Sequence, residues 1–345
     1  MRKTISALIL LLALLLSACS RQTEESYSLT IWYVDDPLAP VITQLAEEYN
    51  RTRGRDTLPV TLRAWAGEEQ LLSTLQHGAA PALVLCPHTL AFTLAEAGLL
   101  KDMGGVSPAY PDWLHARSEC VGHGYLPIGF ELPLLCAQGA LPTRLDELLD
   151  VCSAAQRETE APCLFIGDYA PLFYQVLLDA GTEFHAFPAR DSFSEDYVNL
   201  YNALAAAVFE GGLTLDEGAE TACRIESSAA LAGRDLGGCA LYPLAEGALL
   251  AEGHGFAVTA RETRMQRALP DFLRWLTRSS RLGNAALDTG LIPAAAEALS
   301  PQGALAETLV GLMGRPLHLP DPDSDYYVNH SAFDEDFLAA LTLLR

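Results

Sequence analysis

Apolar and polar positions along the N-terminal third of the chain follow a pattern that predicts strands separated by helices. Residues 29–34 are rich in β-branched and aromatic side chains, which is typical of a strand, and the apolar positions of residues 41–49 recur at helical spacing. The order repeats twice more, through the alternating stretch 60–64 and the continuous apolar run 82–86. A β-α-β-α-β-α order predicts a parallel sheet with helices on both faces.

The ends of these strands are where a ligand is expected, because open parallel sheets bind ligands beyond the carboxyl ends of their strands. Aromatic side chains stand at these predicted ends together with a carboxylate and an imidazole. The candidate residues are Trp32, Tyr33, Asp35, Trp65 and His88. Aromatic planes stack on the apolar faces of sugar rings and carboxylates pair with sugar hydroxyls, so this combination favours a carbohydrate ligand.

The rest of the chain continues the alternation of helices and strands. Helices are predicted over residues 169–180 and 194–209, and a strand over residues 222–228. An apolar i, i+3, i+4, i+7 stripe over residues 269–276 predicts a further amphipathic helix. Pro270 lies inside this stripe, and we expect it to delay the start of that helix.

The first twenty residues have the layout of a secretory signal peptide. A basic start precedes an almost unbroken apolar run over residues 5–16, which is shorter than the ~20 residues that a membrane-spanning helix needs. Small residues then lead into Cys19, and this order resembles the lipobox of bacterial lipoproteins. The resemblance implies a signal peptide over residues 1–18, acylation of the Cys19 thiol, and a polar, lipid-anchored linker over residues 19–28. An ordinary cleaved signal peptide is the alternative.

Seven short motifs occur in a fixed order along the chain. They read A-P-A-L-V-L at 80–85, L-A-E-A-G-L-L-K-D at 94–102, L-P-I-G-F-E-L-P at 126–133, P-T-R-L-D-E-L at 142–148, G-H-G-F-A-V at 253–258, F-L-R-W-L-T at 272–277 and T-G-L-I-P at 289–293. No one of them is specific, but their order and spacing together resemble the extracellular solute-binding proteins of ABC importers. Within that group they resemble the large family that mostly serves sugars.

This resemblance implies a two-lobed α/β fold of the periplasmic-binding-protein type (type II), with parallel-type sheets flanked by helices and a hinge between the lobes. One lobe is expected to hold residues 29–131 and 256–298, and the other residues 132–255 and 299–345. The resemblance also implies a monomer that is held outside the cytoplasmic membrane by its lipid. Such a protein would bind its solute between the lobes and deliver it to the permease of an ABC transporter, without covalent chemistry and without a cofactor.

The resemblance extends the candidate ligand site to the segments that cross between the lobes and to the second lobe. The added candidates are Phe130, Glu131, Asp168, Tyr169, Glu226, Ser227, Glu252 and His254. Each of them has a structural alternative, because an aromatic side chain is more often part of a core and an aspartate before a helix often caps it.

Charge and cysteine content narrow the range of partners. The net charge of -22 repels nucleic acid and anionic lipid surfaces, so no nucleic-acid partner is expected. Eight cysteines occur, and without Cys19 an odd number remains, so at least one thiol stays free or pairs with another chain. Their apolar surroundings favour buried thiols. Disulfides between Cys152 and Cys163 and between Cys223 and Cys239 stay open as alternatives.

The catalytic and metal-binding motifs that we tested are absent from the sequence. There is no Gly-x-Ser-x-Gly elbow, no His-Glu-x-x-His and no phosphate-binding P-loop, so no catalytic residue is predicted. The acidic stretch 321–325 has Tyr326 where a calcium loop needs glycine, and residues 115–123 lack the usual spacing of zinc ligands. Two alternatives to a sugar-binding transport protein remain. They are a lipoprotein that serves a sensor or binds a polyamine or other cation, and a secreted hydrolase with a pair of carboxylates.

Overall fold

The computed structural model of the protein describes residues 28–78, 80–102, 124–139, 141–142, 144–179, 195–245, 247–278, 280–294, 298–319 and 337–343. Cys19 and the predicted signal peptide lie outside these residues, as do the stretches 115–123 and 321–325. What the sequence predicts for them stays a prediction.

Strands and helices alternate through most of the described chain. The strands are β1 (Leu29–Tyr33), β2 (Val60–Ala64), β3 (Leu83–Pro87), β4 (Tyr125–Glu131), β5 (Pro133–Ala137), β6 (Leu164–Ile166), β7 (Leu213–Thr214), β8 (Cys223–Ser227), β9 (Ala240–Pro243), β10 (Leu249–Leu250), β11 (Glu252–Val258), β12 (Ile292–Pro293) and β13 (Leu317–His318). The helices are α1 (Ala39–Thr52), α2 (Glu68–Gln76), α3 (His88–Glu96), α4 (Leu145–Thr159), α5 (Ala170–Asp179), α6 (Glu195–Phe209), α7 (Ser228–Ala232), α8 (Thr263–Thr277), α9 (Ser280–Asp288) and α10 (Gly303–Leu312).

The first sheet has six strands in the order β12-β4-β11-β3-β1-β2. Strand β1 pairs in parallel with β2 and β3, as the repeated β-α order predicts. Strand β11 runs antiparallel to both β3 and β4. The sheet is therefore parallel in the part built from the N-terminal strands and antiparallel where the chain returns to it.

Apolar side chains cover both faces of this sheet. On one face α1, α8 and α9 pack their apolar stripes into a core that includes Ile42, Leu45 and Phe272. On the other face α2 and α3 contribute Leu71 and Leu94. A strand covered on both sides has to be apolar throughout, which is why β3 shows no alternation.

The second sheet has five strands in the order β7-β6-β8-β5-β9. Strand β6 is parallel to β7 and β8, whereas β5 is antiparallel to β8 and β9, so this sheet is also mixed. Helices α4, α5 and α6 cover one of its faces together with Phe337.

The two sheets meet where the chain passes from β4 to β5. Leu132 separates these strands, and the Ser228 hydroxyl accepts a hydrogen bond from the Leu132 N–H at 3.0 Å, while the Ser228 N–H donates to the Leu132 carbonyl at 2.7 Å. An apolar core that contains Leu132, Leu134 and Ile292 continues from one sheet to the other. The first crossing is thus fixed from both sides by backbone hydrogen bonds and by packing.

Helix α8 corrects one expectation. It begins at Thr263 and continues through Pro270 to Thr277, so the proline does not delay its start. Met265, Leu269 and Phe272 are buried along one stripe of this helix. Packing of this stripe outweighs the backbone hydrogen bond that a proline inside a helix removes.

Cys19 and Cys120 lie outside the described residues, and the other six cysteines all have free thiols. Cys152 and Cys163 are unbonded neighbours, and Cys223 lies beside Cys152 with a separation of 3.7 Å between the sulfurs. The two disulfides that the sequence left open therefore do not form in this structure, whereas the expected burial holds for five of the six thiols. Among the described residues, no helix is both long and apolar enough to span a membrane.

Candidate ligand-binding site

A cavity of about 40 Å³ lies between the two sheets, next to the crossing. Both sheets contribute to its wall, and four of the wall residues carry carboxyl groups. The lining residues are His88, Thr89, Glu131, Leu132, Pro133, Asp168, Pro171, Ile225, Glu226, Ser227, Leu250, Ala251 and Glu252. Six of the thirteen side chains that the sequence nominated are among them.

The first sheet supplies the start of helix α3. His88 begins this helix directly after β3 and is 2 % exposed, and burial lowers the pKa of its imidazole to about 4. His88 is therefore neutral at physiological pH. The neighbouring Thr89 hydroxyl donates a hydrogen bond to Oε1 of Glu252 at 3.0 Å.

A buried histidine joins two acidic side chains behind the cavity wall. Nδ1 of His254 lies 3.2 Å from Oδ2 of Asp36, and Nε2 lies 3.5 Å from Oε1 of Glu131. Burial acts to lower the pKa of His254, but the hydrogen bonds and charges of both carboxylates outweigh it and raise that pKa well above its usual value. His254 is therefore an imidazolium between two carboxylates.

The two glutamates that face each other across β4 and β11 hold different numbers of protons. Glu131 and Glu252 are register partners in the antiparallel pair. Burial acts to raise the pKa of Glu131, but the hydrogen bond and the charge of His254 lower it overall. Burial, and after it the negative charge of Glu131, raise the pKa of Glu252 to about 7. Near neutral pH the pair therefore presents one carboxylate and one half-protonated carboxyl group.

The second sheet places Glu226 in the wall at the end of β8. Glu226 is 5 % exposed and forms ion pairs with Arg224 at 3.1 Å and with Arg234 at 2.7 Å. The Arg224 guanidinium also lies over the ring of Phe165, 4.3 Å from its centre. Both arginines therefore pair with a carboxylate of the cavity wall.

Two further wall residues of the second sheet begin helices. The Ser227 hydroxyl accepts a hydrogen bond from the Ala230 N–H at 3.2 Å and caps α7, and a hydrogen bond from Ser227 also contributes to the low pKa of Glu131. Oδ1 of Asp168 accepts from the Ala170 N–H at 3.2 Å at the start of α5. Each side chain has a capping role as well as a place in the wall.

The aromatic residues at the ends of β1 and β2 lie outside the cavity wall. The rings of Trp32 and Trp65 pack at 4.7 Å, and the Arg63 guanidinium lies 4.6 Å from the Trp65 ring centre. Trp32 is almost fully buried, whereas Tyr33 and Trp65 are half-buried. These residues follow His88 along the same edge of the sheet, one and two strands farther from the crossing.

Three further nominated side chains lie away from the cavity wall. Phe130 is fully buried in the apolar core between the sheets. Tyr169 is buried under the second sheet, where its ring lies 4.9 Å from that of Phe337. Asp35 is exposed on the turn after β1, at a positive φ of 31°, and its neighbour Asp36 is the residue that pairs with His254. In the first two cases the adjacent nominated residue, Glu131 or Asp168, lines the cavity instead, whereas Asp36 stays behind the wall.

Sequence reasoning missed Asp36 and Thr89 and all the apolar lining residues. Thr89 directly follows His88 at the start of α3, so its position next to a candidate residue could have indicated that it lines the cavity. Asp36 lies 218 residues from its histidine partner, and no local pattern indicates that contact.

The chain aligns over most of its length with solved structures of binding proteins. A cyclic α-maltosyl-1,6-maltose binding protein of Arthrobacter globiformis aligns with a TM-score of 0.69 at 16% identity, over 92% of this chain and 94% of that one. An ABC substrate-binding protein of Listeria monocytogenes in complex with cycloalternan aligns with a TM-score of 0.71 at 12% identity, over 92% and 94% of the two chains. The protein has the two-lobed periplasmic-binding-protein fold.

A maltose-bound protein of T. maritima aligns similarly, with a TM-score of 0.69 at 12% identity over 92% of this chain and 95% of that one. No protein-family model and no curated protein matches the sequence. These structural alignments establish the fold, but identities this low do not establish the ligand. The first sheet and its helices form one lobe, and the second sheet and its helices form the other.

The present cavity is too small for a sugar. A volume of about 40 Å³ accommodates about three water molecules, whereas pockets for small molecules usually measure about 300–1,000 Å³. Binding of a sugar at this place would therefore require the cavity to widen.

Proposed function

We propose that the protein is a solute-binding protein that captures a carbohydrate between its two lobes and delivers it to the permease of an ABC transporter. One observation carries this proposal: the cavity between the lobes has carboxyl groups from both of them in its wall. Carboxylates accept hydrogen bonds from hydroxyl groups, and contributions from both lobes let one ligand hold the lobes together.

The structural relatives support the choice of ligand class. Of the proteins named above, one is a cyclic α-maltosyl-1,6-maltose binding protein, one is bound to maltose and one is in complex with cycloalternan. The half-buried aromatic residues Tyr33 and Trp65 add ring faces along the edge of the cleft. The Trp65 indole Nε1 is buried without a hydrogen-bond partner among the described residues, so it has a donor to offer when the cleft opens.

The proposal includes the predicted lipid anchor. Acylation of Cys19 and the polar linker up to Ser28 would keep the protein within reach of a permease outside the cytoplasmic membrane. Domain boundaries at residues 131/132, 255/256 and 298/299 belong to the same proposal. The strand β11 that starts at Glu252 suggests that the second crossing begins about four residues earlier.

Isothermal titration calorimetry with linear and cyclic malto-oligosaccharides tests the proposal. Trp65→Ala should weaken binding about tenfold, because loss of one stacked aromatic ring removes roughly 0.5–1.5 kcal/mol beyond its buried area. Trp275→Ala is the matched control. That tryptophan is also half-buried, but it packs on Tyr49 at 5.3 Å on the outer helical layer, so its loss should leave the affinity unchanged.

Two results would contradict the proposal. Unchanged affinity in Trp65→Ala would remove this ring from the site, and turnover of a sugar would indicate the hydrolase alternative.

A polyamine or another cation is a second candidate ligand. Four acidic side chains line the cavity, and the arginines nearest to it already pair with Glu226. A thermal shift with spermidine, and none with any sugar, would favour this ligand over a carbohydrate.

A further inference from the structure

Three cysteine thiols converge in the core of the second lobe. Cys152 lies on α4, Cys163 precedes β6, and Cys223 is the first residue of β8. Their three sulfur atoms all lie within 4.8 Å of one another, and those of Cys152 and Cys223 are 3.7 Å apart. All three side chains are buried, with exposures of 0 %, 7 % and 1 %.

This cluster is separate from the ligand cleft. It lies at the amino ends of β6 and β8, whereas the cavity contacts the carboxyl end of β8 at Glu226 and Ser227. Four residues along a strand span roughly 13 Å. A group bound by the cysteines would therefore not touch a ligand in the cleft.

We propose that Cys152, Cys163 and Cys223 form a three-sulfur binding site for a trivalent thiophilic metalloid such as arsenite. Bonds of about 2.3 Å from a pyramidal trivalent centre, with angles of roughly 95–100° between them, would place the sulfurs roughly 3.4–3.5 Å apart. One pair is already at 3.7 Å, and the other two pairs, which lie within 4.8 Å, need to shorten by at most about 1.4 Å.

Charge balance in the core selects the trivalent species. A monovalent or divalent ion with three thiolates would leave one or two net negative charges in a buried site, which is costly without compensating donors. The nearby backbone N–H groups are already used, since Cys163 donates to Gly212 and Cys223 donates to Cys163. A trivalent centre with three thiolates is neutral and requires no such donor.

The reaction is a ligand exchange without electron transfer. Three S–H bonds and three As–O bonds break, three As–S bonds form, and the hydroxyl groups of As(OH)₃ leave as three water molecules. Cys163 is the most exposed of the three thiols, so it is expected to react first.

Native mass spectrometry and arsenic X-ray absorption of the full-length protein, incubated with arsenite, test the site. We expect one arsenic per chain with three sulfur neighbours, and at least tenfold weaker binding by Cys152→Ala. Cys86→Ala removes an equally buried thiol from the other lobe and is the matched control, with binding unchanged. Zinc and Cu(I) serve as comparison ions and should bind more weakly than arsenite.

Several outcomes would overturn the site. They are two sulfurs and one oxygen around arsenic, equal binding by Cys152→Ala, tighter binding of zinc or Cu(I), or a disulfide among the three cysteines in protein purified without reductant. If Cys152→Ala fails to fold, alkylation of the wild type in moderate urea, where buried thiols become accessible, decides the matter. Arsenite should then slow the alkylation of all three cysteines of the cluster relative to the arsenite-free protein and leave that of Cys239 unchanged, and equal rates with and without arsenite would overturn the site. Sugar binding by the loaded protein should be unaffected, so this test is independent of the proposed transport function.

Discussion

Replacement of Glu252 by glutamine should stabilise the protein at neutral pH and leave it almost unchanged in acid. Burial and the charge of Glu131 raise the pKa of Glu252 from 4.5 to about 7. Glutamine keeps the shape of the side chain and the oxygen that accepts the hydrogen bond from Thr89, but it cannot ionise. The substitution therefore removes only the cost of ionising a carboxyl group beside another carboxylate.

The size of the effect follows from the shift in pKa. A carboxyl group with a raised pKa in the folded state stabilises fully below its unfolded pKa of about 4.5 and loses that contribution as the pH rises through the folded pKa of about 7. The difference in unfolding free energy between Glu252→Gln and the wild type should be near zero at pH 4, about 1.4 kcal/mol at pH 5.5 and about 3 kcal/mol at pH 8. These values are upper limits, because Glu252 is half-buried and solvent screens part of the repulsion.

Urea unfolding at pH 4, 5.5 and 8 measures this difference as a shift in the midpoint concentration of urea while the slope stays constant. Glu47→Gln is the control, since it also removes one negative charge but from an exposed helix position. It should give the same small change at each pH. A difference for Glu252→Gln that is independent of pH, or that grows towards acid, would refute the reasoning.

Two further substitutions test the geometry around the crossing. His254→Gln removes the cation between the fully buried Asp36 and the partly exposed Glu131. It should destabilise the protein by about 3 kcal/mol in urea unfolding at pH 7, and unchanged stability would contradict this. Gly290→Ala places a methyl group 2.1 Å from the Ser228 carbonyl oxygen at a φ of +80°, so it should cost at least about 2 kcal/mol in thermal unfolding. Gly311→Ala in helix α10 meets no atom within 4 Å and should be neutral or stabilising by about 0.5–1 kcal/mol, so an equal loss in both variants would contradict the steric argument.

Local sequence was sufficient for the elements of the first lobe. The bounds of β2 agree with the predicted alternating stretch, and β3 differs from its predicted run by one residue at each end. These strands and helices are determined by periodicities that lie within a dozen residues of sequence. The mixed pairing of the sheet was not predictable in the same way, because β11 joins it from more than 160 residues along the chain.

The candidate site shows where local reasoning fails. Phe130 and Glu131 were nominated together, but successive side chains of a strand point to opposite faces, so one of them enters the core while the other reaches the cavity. Asp168 and Tyr169 divide in the same way at the start of a helix. Each of these two nominated pairs contains one residue that lines the cavity, and only the folded structure shows which of the two it is.

Contacts between distant parts of the chain were the hardest features to predict from the sequence. The three clustered thiols lie up to 71 residues apart, and their spacing resembles no familiar metal-binding motif. The pair of Asp36 and His254 likewise depends on the pairing of β11 with β3. Such groups can be recognised as neighbours only once the order of the strands in the sheets is known.

The different protonation of Glu131 and Glu252 bears directly on the proposed ligand. An ionised carboxylate only accepts hydrogen bonds, whereas a protonated carboxyl group also donates one. A sugar hydroxyl donates one hydrogen bond and accepts others, so a wall that offers both kinds of group matches it better than two carboxylates would. Burial is the main cause of the raised pKa of Glu252, and the charge of Glu131 adds to it. His254 lowers the pKa of Glu131 and so keeps that charge in place, although its own charge acts to lower the pKa of Glu252 as well. If the proposed ligand binds here, Asp36 and His254 would influence its recognition through the charge of Glu131, although neither side chain lines the cavity.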